Sequence, residues 1–144
     1  MSHARAVSSA THRILYDAEC RFCRWSLAWV LRWDRDRRLE PIALQDERAR
    51  RLLGAMPETE RMASWHLVGP DGSIASAGAA AAPLLRLLPC GGPLAALAER
   101  FPDAVERGYG AVVARRGRLG RWLGDAALLR AEAVIEEREA EPPA

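Results

Sequence analysis

The short run Arg13-Ile14-Leu15-Tyr16 stops at Asp17-Ala18-Glu19, and Cys20-Arg21-Phe22-Cys23 follows at once. A brief apolar run rich in β-formers and closed by acidic residues reads as a strand. From Cys20 to about Asp34 the apolar residues recur at helical spacing instead. Phe22, Trp25, Trp29 and Trp33 make one stripe, and Leu27, Val30 and Leu31 carry the apolar surface onto a second side. Such a helix is expected to be buried, with its tryptophans as core packing against a sheet. A pair of cysteines therefore sits where a strand hands over to a buried helix.

The rest of the chain continues the alternation. Leu39 to Leu44 reads as a second strand, in which Pro41 argues against a central antiparallel position. Asp46 is a candidate N-cap for a helix through Leu53, with Gly54 as its stop. Ser64 to Val68 is a third strand, Gly69-Pro70-Asp71-Gly72 a turn, and Ser73 to Ser76 the returning strand. Helices are expected at Ala79 to Leu88, with Pro83 in the first turn, at Leu94 to Arg100, and at Pro102 to Arg116. Gly117, Gly120 and Gly124 then punctuate a short basic amphipathic segment. Strand–helix–strand–helix–hairpin–helix is an α/β order, that of a thioredoxin-like four-stranded sheet flanked by helices, here with additional C-terminal helices. The domain is assigned to residues 13–124, after a loose leader at 1–12 and before an acidic, helix-prone tail at 125–144.

Composition excludes several classes. All 21 basic residues are Arg, so Schiff-base lysine chemistry and a P-loop lysine are ruled out. The tail from Asp125 carries six acids and two bases, which leaves residues 1–124 mildly basic, short of a nucleic-acid footprint. No apolar run approaches the ~18 residues of a membrane span, and the first residues lack the apolar core of a secretory signal. Three cysteines do not make a disulfide framework. A cytoplasmic compartment is expected, where a cysteine pair is more often catalytic or metal-binding than structural.

The position of Cys20 and Cys23 has a chemical consequence. The first turn of a helix offers unpaired N–H groups and the positive end of its dipole, which lowers a thiol pKa from ~8.5. Spacing i, i+3 brings both sulfurs to one face, with Cα atoms expected within ~4.4–6.8 Å. Cys20 is then the exposed nucleophile and Cys23 the resolving thiol, exchanging with protein or small-molecule disulfides through a mixed disulfide. Two alternatives stand beside this: a binding or scaffold module with structural thiols, and a zinc site completed from Cys90, His3, His12 or His66. Asp17 is either the helix N-cap or a proton acceptor for Cys23. His66 is expected as a packed or surface strand residue, and Cys90 as a bystander. Arg115-Arg116-Gly117-Arg118 with Trp122 reads as a solvated helix end or a partner for the acidic tail, rather than a lipid-contacting patch. No bound cofactor is expected beyond the cysteine pair itself.

Tyr16-Asp17-Ala18-Glu19-Cys20-Arg21-Phe22-Cys23 resembles the Y-D-G-x-C-x-x-C signature of the DCC family of predicted thiol-disulfide oxidoreductases. The resemblance continues through Trp33-Asp34-Arg35, the Val68 to Gly72 turn and the Tyr109 to Arg118 segment, over roughly residues 13–124. It implies a thioredoxin-like fold and a redox role for Cys20, Cys23 and Asp17. Ala18 stands where the family usually has Gly. The segment before the third strand, Arg61-Met62-Ala63-Ser64, lacks the proline that thioredoxins place beside their cysteine pair, which implies a different mode of substrate docking.

Overall fold

A computed structural model describes residues 11–141. The expectations for His3, for most of the leader and for Pro142-Pro143 fall outside them. Four strands form one sheet in the order β2-β1-β3-β4, where β1 is His12–Tyr16, β2 Leu39–Ala43, β3 His66–Val68 and β4 Ile74–Ser76. β1 runs parallel to β2, with Ile14 beside Pro41, and antiparallel to β3, with Leu15 beside His66. The parallel pair needs a crossover, which helix α1 (Arg21–Trp33) supplies. Pro41 is accommodated because β2 is an edge strand. The α/β class expected from the sequence is the one observed.

β1 is buried on both faces, and alternation sorts its side chains. Ile14 and Tyr16 join Leu27, Leu31, Leu67 and Leu84 in one core, while Leu15 joins Ile42, Leu44, Ala49, Leu53 and Val68 in another. Helix α2 (Glu47–Leu53) closes the second core. Asp46 caps it by accepting from the Arg48 N–H, and Gly54 ends it at φ 57°, as the sequence predicts. A short helix α3 (Glu58–Ala63), not expected from the sequence because it has no side-chain cap and buries no residue, leads into β3. After β4, a 3-10 turn at Ala77–Ala80 feeds α4 (Ala81–Leu87), followed by α5 (Gly92–Arg100), α6 (Pro102–Trp122) and α7 (Asp125–Ala140).

Three expectations are corrected. The tryptophan stripe of α1 is not its core face: Trp29 is 56% exposed and Trp33 37%, while Leu27, Ala28 and Leu31 are buried. The smaller side chains let α1 approach both the sheet and α7, and the large rings stack outside, Trp25 edge-on to Trp29 and Arg32 over Trp29. Second, α6 does not stop at Arg116 but runs on to Trp122, through Gly108, Gly110, Gly117 and Gly120. Gly120 has a packing reason, since a Cβ there would lie 3.3 Å from the Arg21 Cβ of α1. Third, of the two expectations for Arg115-Arg116-Gly117-Arg118, only the pairing with the acidic tail is corrected: Arg115 and Arg118 are exposed, as a solvated helix end requires, and the tail's acids pair elsewhere. Glu132 pairs with Arg24, Glu137 and Glu141 with Arg37, and Asp125 with Arg21.

Helix α7 packs along α1 with Leu128, Ala131 and Ile135 buried, and it delivers a charge to the interior. Arg138 donates to Asp34 Oδ2 at 2.7 Å and to the carbonyls of Leu31 and Leu39 at 2.9 and 3.2 Å. Asp34 also accepts from the N–H groups of Arg38 and Leu39, both at 3.0 Å. Both side chains are nearly fully buried, and the bonds around them satisfy most of what burial strips of water. No described helix is long and apolar enough to cross a membrane.

Removing one partner leaves the other charge buried. Arg138→Ala should therefore cost about 3–5 kcal/mol in denaturant unfolding, several times the effect of removing an exposed pair such as Arg86–Glu99. His66 supplies a pH signature. Its ring is buried between the Ser76 hydroxyl (2.6 Å from Nδ1) and the Arg61 carbonyl (2.9 Å from Nε2). A neutral ring serves both, accepting at Nδ1 and donating from Nε2. Burial depresses its pKa, and the Arg61 carbonyl offsets this only in part. The unfolded chain thus takes up a proton that the folded one refuses, so stability should fall as pH drops below about 6.5. His66→Gln should flatten that limb in pH-dependent melts.

Candidate active site

β1 delivers the chain to Asp17, and the turn Asp17–Cys20 is fixed twice. The Cys20 N–H donates to the Asp17 carbonyl at 3.3 Å, and Asp17 Oδ1 accepts from the Glu19 N–H at 3.0 Å. Gln45, just past β2, then clamps the turn from the neighbouring strand. Its Nε2 donates to Asp17 Oδ1 at 2.8 Å, and its Oε1 accepts from the Ala18 N–H at 3.1 Å. Asp17 is therefore not the cap of α1. It is an Asx-type brace for the turn, and the aspartate cap expected there is corrected.

The cap is Cys20 itself. Its sulfur accepts from the Cys23 N–H at 3.2 Å, taking the place an oxygen usually fills at a helix start. In the reduced state that N–H and the helix dipole favour negative charge on Cys20. The two sulfurs are bonded to each other, with Cα atoms 5.2 Å apart, inside the range expected from the i, i+3 spacing. Both cysteines are half-buried. The N-terminal end of α1 is anchored by Arg21, which donates to the carbonyls of Gly120 (3.2 Å) and Leu123 (3.1 Å).

Next to Cys23 lies a cavity of about 230 Å³. Its walls are mostly apolar, with Phe22 from α1, Trp65 ahead of β3, and Tyr109 and Val112 from α6. Asp17 and Arg116 are its two charged wall residues. Tyr109 has its phenol pKa raised by burial, against hydrogen bonding from the Trp65 backbone and Ser64 side chain. Tyr16 also lines the cavity, and its hydroxyl donates to Glu139 at 3.0 Å. Burial first, and then the Glu139 charge, keep that phenol protonated throughout the physiological range.

The remaining candidates do not join the pair. His66 is buried in its own contacts and is not part of the cavity wall. Cys90 is exposed, and it follows Pro89, whose carbonyl accepts from the Trp33 indole at 2.8 Å. That marks the opposite end of α1 from Cys20, roughly 20 Å away at ~1.5 Å per residue. Among the described residues no three His, Cys, Asp or Glu side chains gather as a metal site. Gln45 and Tyr109 were not singled out from the sequence. Gln45 follows the second strand with no motif to mark it, while Tyr109 opens the late segment that resembles the family, a resemblance that implies no role for it.

The sequence model of a protein family described as DCC1-like thiol-disulfide oxidoreductase matches residues 14–122. No curated protein matches the chain, and no solved structure does.

Gln45→Ala should release the turn and one acceptor bond of Asp17. Stability should drop by about 1–2 kcal/mol, and the alkylation rate of reduced Cys20 should change while that of Cys90 does not. Parallel iodoacetamide kinetics on the two thiols test this.

Proposed function

This chain belongs to the DCC1-like thiol-disulfide oxidoreductase family, and we propose that it exchanges a dithiol for a disulfide at Cys20–Cys23 with protein or small-molecule partners. The observation that carries this is the cap: a sulfur bonded to its partner, at a helix start, with a backbone N–H directed at it. Those neighbours favour the thiolate of Cys20 over its thiol, which makes it a good leaving group.

In the reductive direction the Cys20 thiolate attacks one sulfur of a substrate disulfide. The substrate S–S bond breaks, a Cys20–substrate bond forms, and the first substrate thiolate leaves and takes a proton. Cys23 gives up its proton and attacks Cys20, releasing the second substrate thiolate and closing the Cys20–Cys23 bond. Two electrons have passed to the substrate. Asp17 is the residue proposed to receive the Cys23 proton. It lines the same cavity, and Oδ2 takes no part in the Gln45 clamp. We place this chemistry in the cytoplasm, where such pairs act catalytically.

Cys20→Ser should abolish reduction of an insulin-type disulfide, and Cys23→Ser should accumulate a mixed disulfide visible by mass spectrometry. Asp17→Asn should lower the pKa of Cys20 by removing a nearby anion, yet slow the resolving step. A reversible two-electron titration of the Cys20–Cys23 couple against glutathione is required. A pair that does not titrate overturns the proposal.

A further inference from the structure

The cavity beside Cys23 is more than the floor of a redox site. A surface that received only folded protein substrates would need no apolar pocket of small-molecule size there. At about 230 Å³ it is smaller than the ~300–1,000 Å³ of sites for drug-sized ligands, so its occupant has on the order of ten non-hydrogen atoms. Its walls are apolar, contributed by Phe22, Trp65, Val112 and Val113 among others. Its charges are separated by element. Asp17 lies in the turn that carries the cysteines, and Arg116 lies on α6. Arg116 makes no ion pair among the described residues and is half-buried, while Asp125, Glu132, Glu137 and Glu141 are engaged by Arg21, Arg24 and Arg37.

We propose that this cavity binds a small dithiol with an apolar body and a terminal carboxylate, and that this molecule donates electrons to the Cys20–Cys23 disulfide. This rests on the dithiol/disulfide role proposed above and adds the substrate class. The charges orient the ligand. Its carboxylate is repelled from Asp17 and drawn to Arg116, which leaves its sulfurs at the cysteine end. One ligand thiol gives its proton to Asp17 and attacks Cys23. The Cys20–Cys23 bond breaks, and Cys20 leaves as the thiolate that the Cys23 N–H stabilises. The second ligand thiol loses its proton to water and attacks the ligand sulfur held on Cys23. A ligand disulfide forms, and Cys23 leaves and takes the proton held on Asp17. The ligand has lost two electrons and two protons; the protein pair has gained both electrons and, on Cys23, one proton, while the other proton is in solvent and Cys20 stays the thiolate. Cys20 remains available on its other side for the disulfide to be reduced.

The test is single-turnover reduction of the oxidised, full-length protein by dihydrolipoate, an eight-carbon dithiol carboxylate, and by its uncharged amide. The rate with dihydrolipoate should saturate and exceed that of the amide about fivefold, the size of a half-buried charge pair. Arg116→Gln should bring the ratio near one, and Arg116→Lys should restore part of it. Octanoate, which has the shape and charge but no sulfur, should compete with dihydrolipoate, and octanamide should compete less. In the Cys20→Ser protein, lipoate should form its mixed disulfide on Cys23. A linear, unsaturated rate with equal efficiency for acid and amide, and no competition by octanoate, overturns the proposal. If dithiothreitol still reduces the pair reversibly in that case, the exchange role stands without this ligand. If no thiol reduces it, the exchange role itself falls.

Discussion

Arg138 is a single guanidinium on which three elements converge. It binds the carboxylate of Asp34 and the carbonyls of Leu31 and Leu39, so it joins the last turn of α1, the loop after it and the first residue of β2. Arg can do this because its planar fork supplies five donors in fixed directions, and the nearby carbonyls answer those that Asp34 does not. A buried ion pair contributes little net stability against an apolar alternative. Its effect is on geometry: the end of α1 and the start of β2 have one low-energy arrangement, because any other leaves charge unpaired in the core.

The other end of α1 is held by similar means. Arg21 reaches the carbonyls at the end of α6, and Gly120 lets that helix approach to van der Waals contact. The helix that carries the cysteines is thus tied to C-terminal helices at both termini. The sheet fixes the turn before it, through Gln45 on one side and the end of β1 on the other. Cys20 caps the helix with its own sulfur, so the group proposed to react also satisfies the helix start. On that proposal the same N–H favours a thiolate once the pair is reduced, and one residue serves local structure and chemistry together. The cavity follows from the same arrangement, since α6 must lie across the cysteine end of α1 to reach Arg21.

Much of this was legible in the sequence, and the gaps have common causes. The strand ending at Tyr16, the cap at Asp46, the stop at Gly54 and the turn at Gly69–Gly72 follow from local rules, and each is observed. Asp favours the cap position, but the helix starts three residues later than a cap at Asp17 requires, so Asp17 holds the Glu19 N–H and the sulfur of Cys20 takes the helix's own Cys23 N–H. An apolar stripe usually points inward, which predicts buried tryptophans on α1. The stripe of Leu27, Ala28 and Leu31 won because smaller side chains allow close helix packing. Gly117 and Gly120 read as punctuation after Arg116, yet α6 runs through them as it does through Gly108 and Gly110. Each costs a helix about 1 kcal/mol, which packing against α1 and the turn at Ala77–Ala80 offsets.

The sequence by itself determined the order of the strands, the α/β class and the location of the cysteine pair at a strand-to-helix junction. These depend on neighbours a few residues apart, and periodicity and capping chemistry report such neighbours directly. Only the tertiary structure decided which face of α1 is buried, that Gln45 braces Asp17, and that Arg138, amid acids at the far end of the chain, is a core residue. It also decided that Trp65, Tyr109 and Arg116 meet Cys23 around one cavity. Those partners lie tens of residues apart, and their meeting depends on how helices pack across a sheet, which no local pattern encodes.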